Sequence, residues 1–215
     1  MEPLNYQIRF EFAFVVLLLI FTFGCSQSTS DLPLAHAQSA AVNAEANLHG
    51  EPELVDLNDH EFGRVSDTTI KAAALVFILP DCPICNSYIP ELNRLHEEFS
   101  TMSIKMILVH ADPATTPEQA RQHARDYQIQ LPVALDPLSG WVKKAGATVA
   151  PEVALFSPHG ELLYRGRIDN QYAELGKRRA TITEHDLRDA MEEVVANQPI
   201  SVRRTEAIGC LIPRN

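Results

Sequence analysis

Residues 72–85 have the sequence AAALVFILPDCPIC. The first eight form an apolar run rich in branched side chains, which is typical of a buried strand, and the proline and aspartate that follow end it. A helix is predicted next, because apolar side chains recur at helical spacing. These side chains are Ile89, Leu92, Leu95 and Phe99. The pattern Cys82-x-x-Cys85 therefore lies between a strand and a helix, where it indicates a redox-active pair of thiols.

The two cysteines of this pair are predicted to have different roles. Cys82 lies at the start of the helix, where unpaired N–H groups and the positive end of the dipole favour a thiolate over a thiol. Because the thiolate is the nucleophilic form of cysteine, Cys82 is expected to attack a substrate disulfide. Cys85 lies one turn inside the helix and is expected to resolve the mixed disulfide, which releases the product.

The rest of the chain alternates strands and helices, which implies parallel strands in the centre of a sheet. A turn at 157–160 adds an antiparallel hairpin, so we expect a single α/β domain with a central mixed sheet flanked by helices. Thr116, Pro117 and Gln119 are placed as the N-cap, first residue and N3 residue of one helix. The further predicted strands are 104–109, 132–135, 152–156 and 162–165, and the further helices are 116–127, 138–145 and 184–196, the last with Thr183 and Asp186 as a capping pair.

Two prolines give this pattern a resemblance to the thioredoxin superfamily. Pro90 lies five residues after Cys85, where that family has a proline in its active-site helix, and Ala150-Pro151 matches its cis-proline loop. The sequence is most similar to the exported, membrane-anchored TlpA and ResA reductases and to the wider redoxin group, over residues 54–196. The resemblance implies a thioredoxin-like fold and thiol-disulfide oxidoreductase activity. It also implies that Ala150 and Pro151 hold extended substrate backbone.

The residue that accepts the proton in this chemistry is not fixed by the resemblance. Asp81 replaces the tryptophan that usually precedes the first cysteine, and Val76 stands where thioredoxin has a buried carboxylate. Asp81 and Glu152 are candidates for proton transfer, because they adjoin Cys82 and Pro151 in the sequence. The alternative is that each is a solvated loop acid.

The N-terminal sequence predicts export. Residues 12–23 are an unbroken apolar run, too short for a comfortable membrane span but suited to a signal sequence. Residues 1–25 are therefore a signal peptide or lipoprotein signal, in which Cys25 is lipidated, or an uncleaved anchor that Cys25 merely ends. Residues 26–53 are expected to be a flexible spacer. The domain is thus predicted to be attached to a membrane on the extracytoplasmic, periplasmic side.

Charge and motif content exclude several functions. The 18 Lys and Arg residues are outnumbered by 28 Asp and Glu, and the net charge of −10 argues against a nucleic-acid partner. A zinc site would need further ligands at familiar spacing, and neither a second C-x-x-C nor an H-x-x-x-H is present. We therefore expect no metal and no cofactor. The expected partners are protein disulfides and a thiol electron donor.

Other functions of a thioredoxin fold stay open at this point. The alternative is a non-catalytic module that binds a partner. In that case Cys82 and Cys85 form a structural disulfide, a redox sensor or a copper-handling site. Copper chaperones of the Sco kind use C-x-x-x-C with a histidine, whereas this chain has one residue fewer, although His110 ends a strand near the motif. A peroxiredoxin would have a threonine where this sequence has Leu79.

The C-terminal tail, residues 197–215, holds one more cysteine. Cys210 lies inside a small apolar cluster at 207–212 of an otherwise polar segment. It is predicted to lie near the active site as an auxiliary thiol, because its apolar neighbours allow the tail to dock. The alternative is a buried passenger, which free cysteines often are.

Overall fold

The computed structural model describes residues 50–57 and 64–213. The predicted signal segment with Cys25 lies outside these residues, as does most of the predicted spacer. The central sheet has six strands in the order β1-β4-β3-β2-β6-β7. Its strands are β1 (Val55–Asp56), β2 (Ala72–Ile78), β3 (Ile104–His110), β4 (Val133–Leu135), β6 (Glu152–Phe156) and β7 (Leu162–Gly166).

The helices and smaller strands complete the fold. The helices are α1 (Pro83–Ser100), α2 (Pro117–Asp126), α3 (Gly140–Ala145) and α4 (Asp186–Val195). Two-stranded ladders join β5 (Val149–Ala150) to β10 (Cys210–Leu211), and β8 (Tyr172–Glu174) to β9 (Lys177–Arg178). The predicted α/β fold is therefore confirmed, while the domain boundaries at 54 and 196 stay a prediction.

The sheet is mixed, as the sequence predicted. Strands β2, β3 and β4 are parallel, and β6 pairs antiparallel with both β2 and β7. Every residue of β2 is buried, because the strand is central in the sheet and covered on both faces. This position explains why the run at 72–78 is continuously apolar rather than alternating.

Helix α1 places the dithiol at the end of β2. The helix begins directly after its N-cap, Cys82, with Pro83 in the first turn, and it contains Pro90. Its predicted apolar face is confirmed, since Ile89, Leu92, Leu95 and Phe99 are all buried. Burial of this face against the sheet fixes the direction of α1 and hence the position of its first residue.

The two predicted helix caps have different outcomes. The capping box of α2 is confirmed: Gln119 N donates to Thr116 Oγ1 at 3.2 Å, and Thr116 N donates to Gln119 Oε1 at 2.8 Å. The predicted cap of the last helix is wrong, because α4 begins after His185 without a side-chain cap. The Thr183 hydroxyl instead accepts a hydrogen bond from the side-chain amide of Asn170. Asp186 forms an ion pair with Arg167 at 2.7 Å. Tertiary partners have displaced the local cap.

Candidate active site

Cys82 lies at the junction of β2 and α1, where its backbone is extended and its side chain is 2% exposed. It forms a disulfide with Cys210, across a Cα–Cα distance of 6.3 Å and 128 residues of sequence. Cys82 Sγ also lies 3.5 Å from the carbonyl oxygen of Ala150. The helix start, the C-terminal tail and the loop before Pro151 therefore meet at one sulfur atom.

Cys85 has a different environment from Cys82. It is a free thiol on the first turn of α1 and is fully buried. Burial raises the pKa of the Cys85 thiol to about 12, since a thiolate is poorly solvated there, and backbone hydrogen bonds offset the effect only in part. The thiolate of Cys85 is therefore disfavoured at neutral pH. In this structure, however, the disulfide joins Cys82 to Cys210 and leaves Cys85 reduced.

The loop at Ala150 and Pro151 lies beside the disulfide. The Ala150–Pro151 peptide bond is cis, as the resemblance implied. The two residues before Pro151 form β5, which pairs antiparallel with β10, so that Cys210 is opposite Ala150. Ile212 N continues the ladder by donating to the carbonyl oxygen of Thr148 at 3.1 Å. The tail thus runs as an extended strand where the resemblance places substrate backbone.

The side chain of Glu152 binds the backbone of this loop. Its Oε2 accepts from the backbone N–H of Thr148 at 2.8 Å, and its Oε1 forms an ion pair with Arg165 Nε at 3.2 Å. The Arg165 guanidinium in turn donates to the carbonyl oxygens of Ala145 and Gly146. Both carboxylate oxygens of Glu152 are therefore engaged in positioning the loop. Its predicted part in proton transfer stays a prediction.

Asp81 is exposed, and it lines a cleft of about 640 Å³ that opens onto the disulfide. Cys82 and Cys210 form part of the same wall, and residues of the loop after β3 and of α2 face them. Asp81, Cys82 and Cys210 therefore line the same cleft. The proton-transfer role of Asp81 is likewise still a prediction.

Two histidines lie at or near this cleft: His123 lines it, and His110 contacts His123. His110, at the end of β3, is fully buried, and its ring contacts that of His123 edge-on at 5.2 Å between centroids. Burial, with a smaller effect of His123, lowers the pKa of His110 to about 3. His123 Nε2 lies 2.8 Å from Asn86 Oδ1 on α1. Within the described parts of the chain, no three His, Cys, Asp or Glu side chains are grouped to hold a metal ion.

The residues that fix the tail are not predicted by any motif in the sequence. Arg165 N donates to Arg203 O at 3.0 Å, and Thr205 N donates to Arg165 O at 3.1 Å, so the tail adds to the outer edge of β7. The side chain of Thr205 is held by Tyr164 and by the backbone of Arg167. Gly209 packs against Ala150 so closely that a Cβ would overlap the carbonyl oxygen. The signals in the sequence are the apolar residues around Cys210 and the glycine directly before it.

A cysteine at the start of a buried helix, facing a cis-proline loop in this sheet order, defines the thioredoxin-like class of redox proteins. Two solved structures have a similar fold. An uncharacterized conserved protein from Geobacillus kaustophilus is 20% identical, covers 79% of this chain and 94% of its own, and superposes with a TM-score of 0.66. A hypothetical protein from Sinorhizobium meliloti is 20% identical, covers 74% and 88%, and has a TM-score of 0.62.

Sequence comparison assigns the family. Residues 51–165, more than half the chain, match the AhpC/TSA family, and the chain belongs to it. It is also similar to the thiol-disulfide oxidoreductase ResA of Halalkalibacterium halodurans, with 27% identity over 166 residues that cover 75% of this chain and 86% of that protein. The resemblance stated from the motifs is therefore confirmed. Cys210 and the rest of the tail lie beyond the family match.

No helix among residues 50–57 and 64–213 has the length and apolar character needed to cross a bilayer.

Proposed function

We propose that the protein is a thiol-disulfide oxidoreductase that acts on protein substrates through Cys82. One observation carries the proposal: the cysteine at the start of α1 is bonded to a cysteine on a strand that pairs with the loop before Pro151. A mixed disulfide between Cys82 and an extended substrate segment requires the same arrangement. The similarity to an oxidoreductase of this kind supports the same activity here.

The reaction begins with the thiolate of Cys82. It attacks one sulfur of a substrate disulfide, so the substrate S–S bond breaks, a bond from Cys82 to the substrate forms, and the other substrate sulfur leaves as a thiolate that takes up a proton. A second thiolate of the chain then attacks Cys82 Sγ and releases the substrate. Cys85 is the residue that the sequence predicts for this step. The substrate gains two electrons, and an external dithiol donor reduces the chain again.

Ala150 and Pro151 are proposed to align the substrate. The edge of β5 offers backbone hydrogen bonds to an antiparallel segment, as the pairing with β10 illustrates. A substrate bound there places its cysteine next to Cys82, because Cys82 Sγ lies 3.5 Å from the carbonyl oxygen of Ala150. Backbone pairing of this kind is largely independent of substrate side chains.

Reduction of insulin by dithiothreitol, catalysed by the full-length chain in detergent, tests this function. Cys82→Ser is expected to reduce the rate to that of dithiothreitol alone, because serine does not form a disulfide. Cys25→Ser is the matched control, since it removes a cysteine of the N-terminal segment, and it is expected to retain the wild-type rate. A wild-type chain that is oxidised and reduced at Cys82 without accelerating turnover would instead be a redox sensor.

We further propose that the protein is exported and held at a membrane by its N-terminus, which places its substrates among extracytoplasmic proteins. The apolar run at 12–23, followed by Gly24 and Cys25, supports this proposal. Cell fractionation is expected to recover the chain with membranes. Fatty-acid labelling that disappears in Cys25→Ser would identify lipidation, whereas recovery of full-length protein in the soluble cytoplasmic fraction would contradict membrane attachment.

A further inference from the structure

The described part of the chain holds three cysteines around one disulfide. Cys82 is bonded to Cys210, and Cys85 lies beneath them as a buried thiol. Thiol-disulfide exchange requires only that a thiolate reach a disulfide sulfur. Two cysteines are therefore in a position to compete for Cys82: one is inside the helix, and the other is on the tail.

The tail is held so that Cys210 meets Cys82. Thr205 is fixed to the edge of β7 by its backbone and side chain, and Ile212, which is 5% exposed, is packed into the core. Cys210 lies between these two attachment points and opposite Ala150 in the β5–β10 ladder. The Thr205 attachment is to β7 and not to β5, so it keeps the Cys210 thiol at a high effective concentration near Cys82 even when a substrate occupies the edge of β5.

Gly209 makes the close approach of Cys210 possible. Any side chain at this position would overlap the carbonyl oxygen of Ala150 and approach the nitrogen of Pro151. The neighbour on the other side, Leu211, is 79% exposed and makes no comparable demand. Close packing against the cis-proline loop therefore requires glycine at position 209, whereas the exposed side chain at position 211 is not constrained in this way.

Accessibility also favours Cys210 over Cys85. Cys210 is only partly buried and lines the cleft that opens to solvent, whereas Cys85 is enclosed in the core. A thiolate forms more readily at an open position, because water solvates the charge. The high pKa of Cys85, about 12, is the consequence of its enclosure.

We propose that Cys210 is a second resolving cysteine, carried to Cys82 by a tail strand that takes the place of the departing substrate. The proposal rests on the function proposed above. In this step the Cys210 thiolate attacks Cys82 Sγ in the mixed disulfide. The bond from Cys82 to the substrate breaks, the Cys82–Cys210 bond forms, and the substrate sulfur leaves as a thiolate and takes a proton from solvent.

The same geometry makes the tail a substrate-like strand. It uses the backbone groups of β5 that a substrate would use, so substrate and tail exclude each other on this edge. The external dithiol that reduces Cys82–Cys210 therefore also releases the tail, and it reaches the disulfide through the cleft that both cysteines line. Formation of the Cys82–Cys210 bond, which releases the substrate, therefore also places the tail on the edge of β5 where the substrate was bound.

Single-turnover trapping tests this role. The reduced full-length chain is mixed with oxidised insulin, quenched with acid and separated on a non-reducing gel, and the bands are identified by mass spectrometry. Cys85→Ser is expected to release reduced insulin and to form Cys82–Cys210. Cys85→Ser combined with Cys210→Ser is expected to accumulate about tenfold more mixed disulfide than Cys85→Ser alone, since neither Cys85 nor Cys210 is then present to attack Cys82.

A second pair of variants tests the docking of the tail. In the Cys85→Ser chain, Gly209→Val is expected to accumulate the mixed disulfide although Cys210 is present, because the side chain prevents pairing with Ala150. Leu211→Val is the control and is expected to behave as Cys85→Ser alone.

Equal trapping in Cys85→Ser with and without Cys210 would overturn the proposed role of Cys210. If Cys82→Ser and the wild-type chain instead gave the same products, the oxidoreductase function itself would be wrong. The two failures are therefore distinguishable.

Discussion

Cys82 and Cys85 belong to one tetrapeptide, but only Cys82 lies at the end of the helix. Cys82 has the first unpaired N–H groups of α1 next to it, whereas Cys85 has the core around it. A shift of one helical turn therefore separates a thiol that is positioned to react from one that is enclosed. This difference depends on local structure, which is why the motif and its context predicted it.

The first prediction concerns alkylation of the reduced full-length chain. Burial raises the pKa of Cys85 to about 12, so at pH 8.5 its thiolate fraction is about a thousandfold below that of an unperturbed thiol. Cys85 is expected to react with iodoacetamide correspondingly slowly, and Cys82 faster. Mass spectrometry of peptides gives each rate separately, with Cys210→Ser as the variant in which the tail does not compete. A faster reaction at Cys85 would reverse the assigned roles.

The second prediction concerns His110 and pH. Its pKa is lowered from 6.5 to about 3 in the folded protein by burial first and by His123 second, so the unfolded state binds the proton more readily. The contribution of His110 to stability is present above pH 6.5 and is lost as pH falls from 6.5 towards 3. Stability should therefore decrease by about 1.4 kcal/mol per pH unit from this group in that range.

Acid titration of the free energy of unfolding checks the His110 prediction. His110→Leu is expected to flatten the dependence, since leucine does not titrate, and the exposed His159→Gln is expected to leave it unchanged. His110 is also a buried polar group with no hydrogen-bond partner among the described residues, so its replacement should not destabilise the protein at neutral pH. An identical acid slope in wild type and His110→Leu would contradict the prediction.

Among the helices and strands, the sequence predicted those that have a recognisable pattern of apolar residues. Helix α1 and strands β2 and β3 have apolar patterns long enough to define their type, and the observed bounds of the two strands agree closely with prediction. Strands β5 and β10 have two residues each, too few for a periodic pattern, and they pair across some sixty residues of chain. Their ladder, and with it the place of Cys210, depends on tertiary structure.

The loop between α3 and β6 depends on one buried ion pair. Glu152 and Arg165 side chains are 5% and 15% exposed, and together they bind the backbone of residues 145–148. Glutamine has nearly the same shape as glutamate and retains an acceptor for Thr148 N–H, but it leaves the Arg165 charge unpaired. The third prediction is that Glu152→Gln destabilises the protein by about 3 kcal/mol.

The same variant separates positioning from proton transfer at Glu152. If the carboxylate acts only by holding the loop, Glu152→Gln lowers the rate of insulin reduction without changing the shape of its pH profile. Asp81→Asn is the companion variant at the exposed cleft. Loss of one limb of the pH profile in either variant would assign that residue to proton transfer, as the sequence predicted for both.

For the whole molecule, the tail lies beyond the family match but contacts residues within it. The match covers residues 51–165, and the tail pairs with the backbone of Arg165 and Ala150. The motif and its context predicted the role of Cys82, and the resemblance predicted the cis-proline, whereas Cys210 was predicted to lie near the active site only from its apolar neighbours. Only the fold shows that a cysteine 128 residues away reaches Cys82.

The last prediction concerns the stability of oxidised and reduced protein. A disulfide stabilises mainly by restricting the unfolded chain, and the effect grows with the enclosed loop. A bond across 128 residues restricts most of the described chain, whereas one between Cys82 and Cys85 would restrict almost none of it. The oxidised protein is therefore expected to exceed the reduced protein in free energy of unfolding by about 5 kcal/mol.

Urea titration of the full-length chain in detergent measures this difference through the fluorescence of Trp141. Trp141 is the single tryptophan of the sequence, is 1% exposed and packs against Phe156 at 5.3 Å between ring centroids, so its emission reports unfolding of the core. Cys210→Ser should abolish the difference, and Cys85→Ser should preserve it. If Cys85→Ser abolished it instead, the disulfide in solution would join Cys82 to Cys85, and the tail would have no covalent part in the oxidised state.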